Sequence, residues 1–317
     1  MTRTVHLPPD AAGRRLDVVV GEVLGLSRAR VKSLFEAGAV RVDGRRPKKG
    51  DRATGGARVE VELLEEAPSL VPEPGLAIRL LYEDRWLLAV DKPAGMPSHP
   101  LRPGEMGTAA NALVGRFPEV AKAGDEVREG GLVHRLDIDT SGVLLAARDT
   151  STWQAVRKLF RERAVDKRYW ALVSGPIGDS GAIDLPLRHK GDTGVEPALD
   201  GGEEGREALS EFRVLGRSGE LALVEVRILT GVLHQVRAHL AAIGAPVVGD
   251  TLYGGRPFAG LPRFFLHARS VELMHPATGV TLHVGSPLPE QLRQALTAAN
   301  LRPPDAAAGG ASEGLPY

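Results

Sequence analysis

The chain has 317 residues, 43% hydrophobic and 25% charged, which suits one large domain or two smaller ones with an ordinary packed core. It contains no cysteine, which excludes disulfides, thiol nucleophiles and cysteine-held zinc or iron–sulfur clusters. Forty basic residues balance forty acidic ones, so total charge indicates no class of partner and any charge signal must lie in its distribution. MTRTVHLPPD lacks an apolar signal core, and no run of about 18 apolar residues occurs, so the expected location is the cytoplasm, with no membrane association.

Residues 14–64 read as one small unit. Ser27 suits an N-cap, and Val31, Leu34 and Phe35 then share one helical face until Gly38 stops the helix. Ala39–Val42 predicts a short strand, Asp43-Gly44 a tight turn, and Arg58–Leu64 an alternating strand. Between Arg28 and Arg52 there are nine basic residues against three acidic ones, in a chain that is neutral overall. A phosphate backbone is the partner such a footprint suits, and Arg28, Arg30, Lys32, Arg45, Arg46, Lys48 and Lys49 are its candidate contacts. The competing reading is a merely solvated surface. Arg15-Leu16-Asp17, then Ser27-Arg28 opening a helix, then Gly38-x-Val40-x-Val42-x-Gly44 resembles the RNA-binding module named after the fourth small-subunit ribosomal protein.

Residues 65–75, with three prolines, predict a semi-rigid linker, and 76–300 a second domain. Ile78–Tyr82 and Trp86–Val90 predict two buried strands, followed by the turn Asp91-Lys92-Pro93-Ala94-Gly95. Thr108–Phe117 predicts a helix.

The densest chemistry follows in GLVHRLDIDTSGVLLAAR, residues 131–148, which reads as strand, polar turn, strand. As a calcium loop starting at Asp137 it fails, because the twelfth position is Arg148 and not an acid. As a kinase catalytic loop it fails because Leu136 interrupts His-Arg-Asp. A magnesium phosphatase built on Asp137 and Asp139 stays open, as does an ordinary solvated turn.

Downstream, Trp153–Ala164 predicts a helix loaded with Arg157, Lys158, Arg161 and Arg163, and Asp166–Val173 a strand. Residues 190–208 predict an exposed loop, and Ser210–Val214 and Leu221–Leu229 two strands. Leu233, Val236, Leu240 and Ile243 predict one face of a helix ended by Gly244. His234 and His239, five apart, do not share a face and make no metal pair. His267–His275 and Val280–Val284 predict a last pair of strands, and 301–317 a disordered tail.

His134-Arg135-Leu136-Asp137, two residues, then Thr140-Ser141-Gly142 resembles the active-site signature of the large-ribosomal-subunit-type pseudouridine synthases. Lys92-Pro93-x-Gly95 resembles that family's first motif, and Lys167-x-Tyr169-x-Ala171-x-Val173 another. Thr230-Gly231-x-x-His234-Gln235-x-Arg237-x-His239-Leu240 resembles a further one, with Val232 where the family usually has arginine. The resemblance runs in order over roughly residues 14–285 and includes the basic module, which often precedes such synthases. It implies an α+β fold, with a catalytic domain on a mixed, largely antiparallel sheet flanked by helices behind a small α/β RNA-binding domain.

The implied reaction breaks the C1′–N1 bond of a uridine, turns the uracil over and rejoins it through C5. It is neither redox nor hydrolysis, so no cofactor and no metal are expected. An ionised carboxylate is needed beside the sugar and base, as nucleophile or charge stabiliser, and Asp137 takes that role. The resemblance sets Arg237 against it, where a guanidinium opposes the rise in pKa that burial brings. It makes Tyr169, by periodicity alone a packed strand aromatic, the residue that stacks on the base or relays a proton. The uridine must flip out of its helix, with Arg135 filling the vacated space and His134 beside it at the RNA. The expected substrate is large-subunit rRNA before tRNA, with no obligate protein partner. The alternative is an RNA-binding or ribosome-assembly protein without activity.

Overall fold

A computed structural model describes residues 2–26, 28–48, 50–62, 70–191, 194–198 and 205–304, and at 28 and 29 the backbone only. The cap expected at Ser27, the side chains of Arg28 and Lys49, and the tail from residue 305 lie outside what is described. The chain divides into two compact units, Met1–Ala67 and Pro68–Tyr317.

In the first unit β1 (Thr2–His6) precedes α1 (Leu16–Leu24), α2 (Arg28–Glu36), β2 (Val40–Val42) and β3 (Arg58–Glu62). The sheet order is β1-β3-β2, all antiparallel. Alternation puts Val59 and Val61 inward, where they meet Leu16, Val19, Val20 and Leu34 from the helices. Asp43 and Gly44 both take positive φ, 46° and 78°, the geometry of a tight two-residue turn that glycine eases. Two elements escape the reading over 14–64. One is α1, whose apolar residues form a nearly continuous run; the other is β1, which pairs with β3 along its whole length.

The second unit continues with β4 (Arg79–Glu83), β5 (Leu87–Lys92), α3 (Ala109–Arg116), β6 (Ser141–Ala147), α4 (Thr150–Arg161) and β7 (Asp166–Ser174). Then come β8 (Ser180–Asp184), β9 (Leu187–Lys190), β10 (Gly194–Pro197), β11 (Leu209–Ser218) and β12 (Leu221–Ile228). α5 (Gln235–Ala242), β13 (Leu266–Met274), β14 (Thr281–Gly285) and α6 (Glu290–Ala298) complete it. One sheet runs β4-β5-β6-β13-β7-β12-β11-β8, with β14 on β13, and every pairing is antiparallel except β6 with β13. The architecture is thus the expected mixed, largely antiparallel sheet flanked by helices.

The sheet is apolar on both faces, which explains why its central strands are continuous hydrophobic runs. Leu144 and Ala146 of β6, with Tyr169 and Ala171 of β7, face α3 and α5. Val143 and Leu145 face α4, and Trp170 and Leu172 face α6. Thr108 caps α3 through a reciprocal box with Asn111, and Asp149 caps α4 by accepting from the Thr152 N–H at 2.8 Å.

Several segments differ from expectation. Leu132-Val133 is not a strand but a single bridge, Leu132 to Ala146, because the chain turns there through two positive-φ glycines, Gly130 and Gly131. β4 is a half-exposed edge strand, not a buried one. The stretch expected to be an exposed loop contributes β10, which pairs back on β9 just ahead of it in a two-stranded hairpin. The second half of the proline-rich linker is folded into the second unit: Leu70 is buried in its core and the Asn111 side-chain amide donates to the Val71 carbonyl at 2.7 Å. At the tail, Leu301 packs beside α6.

Candidate active site

Asp137 sits on the connection into β6, and the connection is held from three sides. The Lys92 ammonium, fully buried at the end of β5, donates to the carbonyls of Pro93, Met96 and Ile138 at 3.0, 2.7 and 2.9 Å. The Ser98 hydroxyl donates to the Leu136 carbonyl at 2.8 Å and accepts from the Leu136 N–H at 3.0 Å. Arg263 donates to the Asp139 carbonyl at 2.7 Å and to the Ser141 hydroxyl at 3.0 Å. Burial pushes Lys92 down to about 7, against the attraction of Asp137, and Arg263 down to about 10. Behind the loop, Gly142 has φ 121° and lies so close to β13 that a Cβ there would be 2.2 Å from the Ala268 carbonyl oxygen. Only glycine permits that approach.

Arg237, the third residue of α5, reaches Asp137 in the cleft: its Nη1 donates to Asp137 Oδ2 at 3.2 Å. Its other edge is locked, with Nε and Nη2 donating to the two oxygens of Asp250 at 2.6 and 2.8 Å. Asp250 is 1% exposed, and the guanidinium also packs over the Phe264 ring at 4.2 Å. Burial alone would depress Arg237, but the bonds to Asp250 and the charge of Asp137 outweigh it and hold the group above its ordinary value.

α5 starts at Gln235, two residues after Leu233, the first residue of the apolar face. His234 precedes it in the left-handed conformation, φ 53°, and the Gln235 side chain folds back to accept from the Val232 N–H at 3.1 Å and the Thr230 hydroxyl at 2.8 Å. This turn presents His234 Nε2 to Asp137 Oδ2 at 3.9 Å. The Tyr253 oxygen accepts from the Val195 N–H at 3.0 Å and shares a hydrogen bond with His234 Nδ1 at 3.0 Å, which fixes the ring with its Nε2 edge toward Asp137. Burial lowers the His234 pKa against the pull of Asp137. Val232 and Leu233 border the same cleft and pack against Leu187, Val195 and Ala238.

Tyr169 of β7 lies in the same cleft, a hollow of about 580 Å³ that also holds Asp137 and Arg237. Burial first, then the charge of Asp137, pushes its phenol well above the ordinary value. Arg135 is exposed on the cleft lining. His134 lines the cleft too, but its Nε2 accepts from the Leu145 N–H at 3.0 Å and its ring stacks on Phe160 at 5.3 Å. Burial drives it down to about 3, so it is a neutral acceptor holding β6. Five of the predicted residues, Asp137, Tyr169, Arg237, Arg135 and His134, therefore converge on one cleft. Asp250 and Arg263 were missed as partners. In the first unit Lys32, Arg45, Arg46 and Lys48 are exposed and Arg30 half-buried.

A half-buried carboxylate fixed by a guanidinium, with a tyrosine in the same cleft, defines a site for charge-stabilised chemistry on a flat ring. Residues 86–242 match the family model described as RNA pseudouridylate synthase, and the chain belongs to this family; it is an RNA pseudouridine synthase. It is 34% identical to the ribosomal large subunit pseudouridine synthase D of Xanthomonas campestris pv. campestris over 93% of this chain and 92% of that one. It is 35% identical to the protein of the same name from Pseudomonas aeruginosa, over 91% of this chain and 92% of that one. Among solved structures it resembles human RNA pseudouridylate synthase domain containing 4, with TM-score 0.58 and 25% identity over 72% of this chain and 95% of that one. Among the described residues no helix is long and apolar enough to cross a membrane.

Proposed function

We propose that this enzyme isomerises uridines of large-subunit rRNA, in the cytoplasm, and that Asp137 is its catalytic carboxylate. The names of the relatives support the substrate, ribosomal RNA ahead of tRNA. The observation that carries the residue assignment is the shared guanidinium: Arg237 gives two donors to buried Asp250 and keeps the third for Asp137. The guanidinium thus sets a fixed positive charge against the carboxylate in a cleft that an entering base would dry. The carboxylate can attack, or stabilise positive charge at the sugar, as the C1′–N1 bond breaks. Tyr169 stacks on the loosened ring while C5 turns toward C1′, and the proton on C5 is lost after the new bond forms. Arg135, exposed two residues before Asp137, fills the gap left by the flipped nucleotide, and His134 braces the loop from which Arg135 projects.

The first unit acts as an RNA-binding module of the ribosomal-protein-S4 type, spanning 14–64 together with β1, and the catalytic domain spans 76–300 together with the flanking Leu70 and Leu301 that pack into its core. Arg28, Arg30, Lys32, Arg45, Arg46, Lys48 and Lys49 supply its phosphate contacts. Asp137→Asn is expected to abolish tritium release from C5-labelled uridine in rRNA while binding to the RNA persists. Retained turnover in that variant sinks the assignment, and sequencing-based mapping of pseudouridine in total RNA with and without the gene identifies the positions modified.

A further inference from the structure

Lys167 is 7% exposed, yet its ammonium has one hydrogen bond, to the Thr230 carbonyl at 3.0 Å. An ammonium has three donors, and among the described residues no carboxylate lies within ion-pair distance of it. Its remaining contact is the face of Phe160, 5.3 Å from the ring centroid. A lysine buried this far with so few partners is costly unless something else completes it.

The surroundings say what that is. Lys167 and Tyr169 alternate along β7, so both point to the same side of the sheet and both line the cleft that holds Asp137. Arg157 and Arg161 enter the same cleft from α4. Arg157 is fastened by Nη1 to the Val133 carbonyl at 3.1 Å and by the Trp153 ring, and its buried Nε has no partner. The only carboxylate on the cleft lining among the described residues is Asp137, which Arg237 already engages. The positive charge at the α4 end of the cleft is therefore uncompensated. Two residues of strand separate Lys167 from Tyr169 by roughly 7 Å, comparable with the reach from a pyrimidine ring to a phosphate of its own nucleotide.

We propose that Lys167, walled by Arg157 and Arg161, is a phosphodiester subsite for the nucleotide whose base enters the cleft. This rests on the function proposed above and adds where the backbone of the flipped residue is held. The subsite also offers a cationic grip from α4 and β7 in a chain that has Val232 where an arginine stands in the resembling motif.

The test uses the full chain and two small probes, uridine and uridine 3′,5′-bisphosphate, titrated calorimetrically at low salt with inorganic phosphate as control. The unchanged enzyme is expected to bind the bisphosphate about tenfold or more tightly than uridine, in line with a charge-assisted contact. Lys167→Met should remove most of that preference and leave the affinity for uridine unchanged, while Lys167→Arg keeps it. Equal loss for both probes would make Lys167 a strut for the Thr230 turn and overturn the subsite. Inorganic phosphate binding as tightly as the bisphosphate would overturn it too. Should the methionine variant not fold, Arg161→Gln, altered at an exposed position, decides: the preference must fall by about threefold, and no change refutes the proposal. Turnover is not read, so an enzyme that isomerises no RNA would sink the catalytic assignment while the nucleotide preference still settles the subsite.

Discussion

Asp250 is nearly inaccessible and is not itself part of the cleft lining, yet it determines what Arg237 can do. With both oxygens committed, it leaves the guanidinium one orientation, the one that meets Asp137 at 3.2 Å. Asp250→Asn would leave a buried cation short of its charged partner, so the free energy of unfolding in urea should fall by about 3 kcal/mol. Because the guanidinium would also lose its aim, kcat for tritium release should drop by roughly 100-fold with little change in KM. A variant with unchanged kcat would mean that Arg237 orients itself. The pairing of Asp137 with Arg237, 100 residues apart, was legible only through motif resemblance. The Asp250 lock was not, since a 13-residue separation across a helix end and a turn leaves no periodic mark. Lys92 was visible as part of a turn motif, but nothing local says that its ammonium is fully buried among three carbonyls.

At the scale of elements, the loop bearing Asp137 is stiff because its neighbours bond its backbone, not because it has regular structure. His134 belongs to this brace. Its unfolded-state pKa near 6.5 falls to about 3 in the folded chain, so the folded form excludes the proton. Its contribution to stability is thus complete above about 6.5 and is lost as pH falls toward 3. Thermal denaturation across that range should show a steep acid loss, and His134→Gln, which keeps an acceptor for the Leu145 N–H but cannot titrate, should flatten its share. An unaltered pH profile would remove His134 from the brace. Helices with local signals were legible: α3 announces its Thr108 cap and α4 its amphipathic repeat. α5 started late because Gln235 and the left-handed His234 unwind the first turn, which an apolar period cannot reveal. β10 hid in a glycine-rich acidic stretch, and β9 in the short LRHK run before it, since a short hairpin needs few apolar residues.

For the molecule as a whole, two compact units share one chain, and their contrast in charge was already visible in the basic run between Arg28 and Arg52. Removing residues 1–67, and not the buried Leu70 beyond them, should keep the second unit folded. Its affinity for rRNA in a filter-binding titration should fall by roughly tenfold or more at moderate salt, with a shallower dependence of log K on log salt. An unchanged salt slope would show the basic surface to be merely solvated. The strand order was beyond reading, because alternation tells a strand which face to bury but not which neighbour to choose.

That order has its own consequence. The one parallel junction sets Ser141 and Gly142 against His267 and Ala268, while Arg263 clasps the backbone just ahead of them. A nascent polypeptide therefore carries its reactive acid for more than a hundred residues of synthesis before the strand that seats it has been made. Every motif up to α5 can be translated and the centre still be unassembled, so catalytic competence arrives late and all at once, on closure of a long-range contact.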